Sequence, residues 1–375
     1  MKNRIKRILA LSLMALLVIL AGCQQNNEQV EVDENVSTSA EDNSLNMDSE
    51  SPESGDTEGD LDDEEFDASV EYAYSDRIFD RSRTEGKFAC YYFRSNYTRP
   101  KPVGVSVTGD AALLIAPDGT TMLIDFNMAP ATSHVVSYLQ RLGIEKLDYV
   151  MASHTDMDHC GGYNALLEYI EVEHIYISAS PSYQTTNHKA GRFLAKAIEK
   201  GADYTVLSAG MEIDFGGVNM KVLWPTPDME WPANPTTVEV NDASLVVKFT
   251  YGESSFLFSG DINSAQEIEL TEIYGSELQA DILKMNHHGS KTSHSQKWLE
   301  VVSPKLTCGM AGAVSSSAVL ERYMYMDIPF TLSVLDGATV VSTDGDGVYD
   351  IQVEKEREDT YYGVLPITDG FFQIK

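Results

Sequence analysis

The sequence predicts a large α/β domain, or two small ones, behind a long acidic segment. Three observations carry that prediction. Apolar strand-like runs alternate with stretches of helical spacing, the pattern of a layered α/β chain. Two of those runs end directly in loops that hold four of the eight histidines. Finally, about 300 residues follow the acidic segment with no internal repeat and no second linker.

The chain of 375 residues opens with Lys2, Arg4, Lys6 and Arg7, then an uncharged apolar run from Ile8 to Leu20, then Ala21-Gly22-Cys23. A basic start, an apolar middle and small residues at the cut describe a secretory signal. The run is short for a membrane span, which counts against the alternative of a transmembrane anchor. Cys23 at its end resembles a bacterial lipobox. Cleavage before Cys23 and its lipidation are therefore expected, leaving the protein anchored on the outer face of the cytoplasmic membrane.

From Gln24 to Asp76 there is no Lys or Arg, and 19 of the 58 acidic residues fall here. Low hydrophobicity with one-signed charge cannot offset the entropy of ordering, so this segment is expected to be a disordered tether. The domain from Arg77 to Lys375 keeps a net charge of roughly −16. A long polyanion such as duplex DNA is repelled by such a surface on average, and its binding needs a local patch or a metal.

Within the domain, Ala111 to Ala116 and Thr121 to Phe126 flank Pro117-Asp118-Gly119 and read as a hairpin. Ser133 to Leu142 has helical spacing, with Val135, Val136, Leu139 and Leu142 on one face. Leu147 to Ala152 reads as a buried strand, and Tyr163 to Ile170 as the helix beyond Gly161-Gly162, glycines expected to permit tight turning. A strand at His174 to Ser178 and a helix at Ala190 to Lys200 follow, then strands at Tyr204 to Leu207 and Val218 to Trp224. Pro225 to Pro235 is long and stiff for a turn and is expected to form a lid or a wall of a cleft. Leu245 to Tyr251 and Ser255 to Ser259 make a second hairpin, Asn263 to Tyr274 a helix, and Asp281 to Asn286 a strand. Ser293 is expected to cap a helix from His294 to Val301.

The chemistry-bearing residues sit at the ends of these strands. Ser153-His154-Thr155-Asp156-Met157-Asp158-His159-Cys160 places two imidazoles and two carboxylates within six positions, ligand types that suit zinc, manganese and iron. A merely polar loop with Asp158 as a helix cap explains that density poorly. Asp261 ends the run Phe256 to Gly260, where by itself a helix cap is the commoner role, and His287-His288-Gly289-Ser290 ends another. One of His287 and His288 is expected to be a ligand and the other to lie close by. Cys160 is expected to pack rather than ligate. Cys90, Cys160 and Cys308 allow at most one disulfide. Asp344-Gly345-Asp346-Gly347 looks like the start of a calcium loop, but Lys355 stands where a Glu is required, so it reads as a hairpin turn.

The segments His154 to His159, Gly260-Asp261 and His287 to Ser290 resemble the successive motifs of the metallo-β-lactamase superfamily, and within it the hydrolase domain of the ComEC/Rec2 competence proteins and their stand-alone relatives. Asp156 stands where the wider superfamily has its second histidine, as in that branch. Gly109-Asp110-Ala111, Leu123-Ile124-Asp125 and Asn241 to Leu245 extend the likeness over about residues 103 to 353. The resemblance implies a four-layer αβ/βα sandwich with two divalent metal ions, zinc or manganese, in the cleft between the sheets. It implies that His154 and Asp156 hold one metal, that Asp158 and His159 hold the other, that Asp261 bridges them and that His287 or His288 completes the second. Asp158, Asp261 and His288 are the residues it places in catalysis, with Asp125 as support. The third-motif histidine has no counterpart in His174 or His188, and Asn241 is a candidate for its place.

The rim departs from that branch in the segment Val105 to Ala111 and at Cys308 to Ser317. The expected activity is hydrolysis of a phosphodiester by a hydroxide bridging two cations. Ser290, Lys291, Thr292 and Ser293 are positioned to bind a phosphate oxygen. Nucleic acid is one candidate substrate, and a phosphorylcholine ester or wall polymer is another. A catalytically inactive surface binding protein on the same scaffold is the alternative of another class.

Overall fold

The computed structural model describes residues 75–94, 97–98, 106–107, 109–232, 234–311, 316–355 and 370–375. The expected signal with Cys23, and all but the end of the expected tether, lie outside the described residues, as do residues 312–315 and 356–369. Among the described residues no helix is long and apolar enough to cross a membrane.

The first half of the domain contains β1 (Phe88–Tyr92), β2 (Tyr97–Thr98), β3 (Ser106–Val107), β4 (Ala112–Ile115) and β5 (Thr121–Ile124). After them come α1 (Ala129–Arg141), β6 (Lys146–Met151), α2 (Met157–Cys160), α3 (Tyr163–Tyr169), β7 (Glu171–Ile177), α4 (Lys189–Glu199) and β8 (Asp203–Val206). The second half runs through β9 (Glu212–Phe215), β10 (Val218–Trp224), α5 (Thr237–Asp242), β11 (Val246–Tyr251), β12 (Ser254–Phe258), α6 (Ser264–Tyr274) and β13 (Ile282–Lys284). It continues with α7 (Gln296–Val302), β14 (Leu306–Gly309), α8 (Ser317–Tyr325), β15 (Phe330–Leu332) and α9 (Ser333–Asp336). Three last strands, β16 (Thr339–Thr343), β17 (Tyr349–Val353) and β18 (Phe371–Ile374), return to the first sheet.

Among the described residues the strands form a nine-stranded sheet, β18-β17-β16-β1-β4-β5-β6-β7-β8, a seven-stranded sheet, β15-β14-β13-β12-β11-β10-β9, and a two-stranded ribbon, β2-β3. The strands β5 to β8 run parallel, as do β12 to β15, and the hairpins β4-β5 and β11-β12 are antiparallel. Side chains of β1 show why both faces must be covered. Ala89 and Tyr91 join the cluster under α1, α3 and α4, while Phe88, Cys90 and Tyr92 join the cluster shared by the two sheets. Such period-two alternation with every residue buried belongs to a sheet packed on both faces. Phe88 meets Phe256 of the other sheet edge-on, with ring centroids 4.9 Å apart. A third cluster, with Leu270, Trp298, Leu299 and Tyr323, lies under the helices of the second sheet. The layers are therefore helix, sheet, sheet, helix.

Most expected elements are present with shifted ends. The helix expected from Ser133 begins at Ala129, and the strand expected over Asp281 to Asn286 is confined to Ile282–Lys284. Gly161 and Gly162 do not make an unusual turn: their φ values are −72° and −83°. Their size is needed because a Cβ on Gly162 would run into Thr132 Oγ1 of α1. Ser293 is not a cap. Its hydroxyl donates to Ile262 O at 2.8 Å, and Ser295 caps α7 by accepting from Trp298 N. In the Pro225 to Pro235 segment, Met229 packs against the cluster outside the second sheet. The end of the chain is a strand: β18 pairs with β17. Asp344 to Gly347 lies in the turn between the antiparallel β16 and β17. Cys90, Cys160 and Cys308 are buried free thiols.

Candidate metal centre

Strand direction brings the site together. In parallel layers the loops at the carboxyl ends of the strands share one edge, and Asp125, Ser153, Asp261 and His287 follow β5, β6, β12 and β13. Asp110 precedes β4, which is antiparallel to β5, so it reaches the same edge. Backbone bonds stitch these loops to one another. Asp110 N donates to Asp158 O at 3.1 Å, Phe126 N to His159 O at 2.8 Å, Leu245 N to Ser153 O at 2.7 Å and His287 N to Gly260 O at 3.3 Å. Gly109 is required here because a Cβ would strike Asp158 O.

Four imidazoles converge, each with its Nδ1 held from behind. For His154 the partner is Ser153 Oγ at 3.0 Å, for His159 it is Asp125 Oδ2 at 2.8 Å, and for His287 it is Thr292 Oγ1 at 3.0 Å. His288 Nδ1 lies 3.0 Å from Asp110 Oδ1 and 3.2 Å from Met310 O. Every Nε2 is thereby left for the interior. His159 Nε2 and His288 Nε2 both lie 3.1 Å from Asp261 Oδ2, His288 Nε2 lies 3.2 Å from Asp158 Oδ2, and His287 Nε2 is 4.0 Å from Asp261 Oδ2. His154 Nε2 is 3.8 Å from Asp156 Oδ2. The two adjacent histidines reach one carboxylate because both adopt the left-handed region, φ 44° and 50°. That conformation costs roughly 1–2 kcal/mol per non-glycine residue, strain of the kind that collects at functional sites.

The electrostatics follow from burial and from the carboxylates. Burial, with His159 beside it, keeps His154 well below the usual imidazole range and therefore neutral. Burial also opposes charge on His159, yet Asp261, Asp125 and Asp158 hold its pKa well above the ordinary value. Asp261 and Asp110 overcome burial in the same way at His288. Asp261 stays well below the usual carboxylate range despite burial, because His159, His288 and Lys284 surround it. Protons on two imidazoles thus take the place in the charge balance that a cation fills. With neutral rings, Asp110 and Asp261 keep the ammonium of Lys284 as a partner, while Asp125 and Asp158 lie beside an uncharged His159. Buried charge of one sign is stable only when paired, and divalent cations would offset it.

The side chains fit such cations on their own geometry. The buried Nε2 of His154 has no hydrogen-bond partner. Oxygen-backed imidazoles aimed at shared carboxylate oxygens are the arrangement that metal-ligating histidines adopt. Asp110, His159, Asp261 and His288 present donor atoms within 4.8 Å of one another. Both oxygens of Asp110, however, are engaged by Lys284 and His288, so it supports the ring rather than facing a metal.

All the expected donors, His154, Asp156, Asp158, His159, Asp261, His287 and His288, reach this one edge. Both His287 and His288 do so, with the Nε2 of His288 the nearer to Asp261 Oδ2. His174 and His188 do not: the first bonds Thr205 Oγ1 at 2.8 Å and the second caps α4. Asn241 is buried and its Oδ1 makes no hydrogen bond. Cys160 is buried, its thiol donating to Thr155 O at 3.5 Å and pushed well up in pKa by burial. Lys284 was not anticipated, because a lysine within an apolar run carries no spacing signal. Thr292, expected on substrate, holds His287 instead.

Two facing sheets flanked by helices, with imidazoles and carboxylates gathered at one edge, define a metal-binding αβ/βα protein. The chain belongs to the Metallo-beta-lactamase superfamily, whose family model matches residues 107–307. That superfamily is generally hydrolytic and typically binds two metal ions, although a coenzyme F420H(2) oxidase is also similar to this chain. ComE operon protein 3 of Bacillus subtilis is 28% identical over 178 residues, which is 48% of this chain and 22% of that protein. Recombination protein 2 of Haemophilus influenzae is 30% identical over 207 residues, 54% of this chain and 23% of its own length. The match therefore takes in about a quarter of these curated relatives. The metallo-beta-lactamase fold protein YhfI of Bacillus subtilis aligns at 12% identity with a TM-score of 0.45, covering 68% of this chain and 100% of that one.

Proposed function

We propose that this protein is a metal-dependent phosphodiesterase held on the outer face of the cytoplasmic membrane by a lipid on Cys23. One observation carries the reading: four imidazoles with their Nδ1 atoms tied back turn their Nε2 atoms toward Asp156, Asp158 and Asp261. His154 and Asp156 would hold one cation, Asp158, His159 and His288 a second, and Asp261 would face both, with His287 beside it. Divalent cations held there, zinc or manganese, would lower the pKa of water and offset charge developing on an ester phosphorus. The chain's own residues do the rest. Asp125, Asp110, Ser153 and Thr292 fix the ring orientations, and burial excludes competing water. Lys291, on the exposed turn after the histidines, is a cation that can reach a phosphate oxygen.

Nucleic acid is the favoured substrate, because the name of the Haemophilus influenzae relative speaks of recombination. The acidic surface makes that binding depend on the metals and on Lys291. The test is cleavage of plasmid DNA and of a small phosphodiester by the purified chain with manganese or zinc, beside Asp261→Ala. We expect DNA to be cut and the variant to be inactive. Hydrolysis confined to the small diester would favour a phosphorylcholine or wall-polymer ester. Bound metal with no turnover would favour a surface binding protein. Anchoring is tested by mass spectrometry of the chain recovered from the membrane fraction, which should begin at Cys23 and carry a lipid there. A chain whose Cys23 is unmodified would rule the lipid out.

A further inference from the structure

We infer that Lys284 is the positioning residue of this centre, its ammonium fixing which oxygen of Asp261 faces the cations and seating Asp110 behind His288. The inference rests on the metal-centre reading above. Lys284 ends β13 and is 2% exposed. Its Nζ donates to Gly260 O at 2.8 Å, lies 3.1 Å from Asp261 Oδ1 and pairs closely with Asp110 Oδ2. An ammonium has three protons and no acceptor, so these three oxygens account for all of its bonding and lock its direction.

Two consequences follow for the donors. Asp261 has Oδ1 on Lys284 and Oδ2 between the rings of His159 and His288, 3.1 Å from each Nε2. With Oδ1 engaged, the carboxylate offers one oxygen at one place. Asp110 has Oδ2 on Lys284 and Oδ1 at His288 Nδ1, so the same ammonium sets, through one intermediary, the ring approaching Asp261 from the far side. The competing explanation is that Lys284 merely neutralises a buried Asp110. The two differ in what happens when that pair is replaced together by neutral residues.

The experiment compares Mn2+ affinity and stoichiometry of the metal-stripped full chain, Asp110→Asn, and Lys284→Met combined with Asp110→Asn. The amide introduced by Asp110→Asn keeps an acceptor for His288, and the double variant leaves no unpaired carboxylate at that position. The double variant is expected to bind Mn2+ about 10- to 100-fold more weakly than Asp110→Asn, the usual cost of losing a partner behind a ligand. Equal affinity in the two variants would overturn the role given to Lys284. Should the double variant not fold, the 15Nζ resonance of Lys284 in the unmodified chain decides, using Zn2+. A shift on Zn2+ binding supports the assignment, and an unmoved resonance overturns it. An unmodified chain that takes up neither cation overturns the metal-centre reading itself, together with this inference.

Discussion

At the scale of single residues, Asp125 shows how much of the centre lies behind the donors. Its Oδ1 accepts from Ser153 N at 2.7 Å, while Oδ2 takes Ser153 Oγ at 2.8 Å and lies 2.8 Å from His159 Nδ1. A carboxylate only accepts, so it fixes the proton on Nδ1 and leaves Nε2 for a metal. Asp125→Asn tests this with little disturbance of the fold, because Asn tolerates the φ of 58° found there. The amide sets a donor against Nδ1–H, and metal affinity should fall by about 10- to 100-fold. Isothermal titration of the stripped protein with Zn2+ measures it, and unchanged affinity would show that the ring needs no anchor. The primary donors were legible because His and Asp at close spacing after apolar runs carry their own signal. Asp110 and Lys284 were not, since their roles come from meeting each other across the two sheets.

At the scale of elements, the two hairpins followed from apolar runs on either side of turn residues, while the start of α7 did not. Ser293 looked like a cap by position, but the amides near the helix start are already satisfied by Glu267 of α6. That buried carboxylate accepts from His294 N at 2.7 Å, Ser295 N at 2.6 Å and Asn286 Nδ2 at 2.7 Å. A tertiary acceptor of this kind leaves no local trace in the sequence. It also ties α6 to the turn holding His287 and His288, which keeps two left-handed histidines in place. Glu267→Gln turns one acceptor into a donor facing buried N–H groups. The expected loss is on the order of 2–3 kcal/mol, the worth of a hydrogen bond to a charged group. Urea unfolding followed by tryptophan fluorescence measures it, and a midpoint equal to the parent's would remove Glu267 from this role.

At the scale of the whole molecule, the centre joins two sheets that otherwise meet only through apolar packing and a few polar contacts. His154 and His159 come from the first sheet's edge, and Asp261, His287 and His288 from the second. Cations there would stabilise the folded domain by mass action, since the unfolded chain cannot hold Asp261 and His288 against the segment from His154 to His159. At a free cation concentration 100 times the dissociation constant the gain is about 2.7 kcal/mol. For a domain of this size each kilocalorie moves the melting midpoint by roughly 2–4 °C. Chelation should therefore lower a single cooperative transition by about 5–10 °C for each site emptied, and added Mn2+ or Zn2+ should restore it. Calorimetry with and without chelator makes the measurement. A shift confined to a minor early transition would mean that the cations brace only the loops, and a melt indifferent to chelator would mean that the sheets are held together without them.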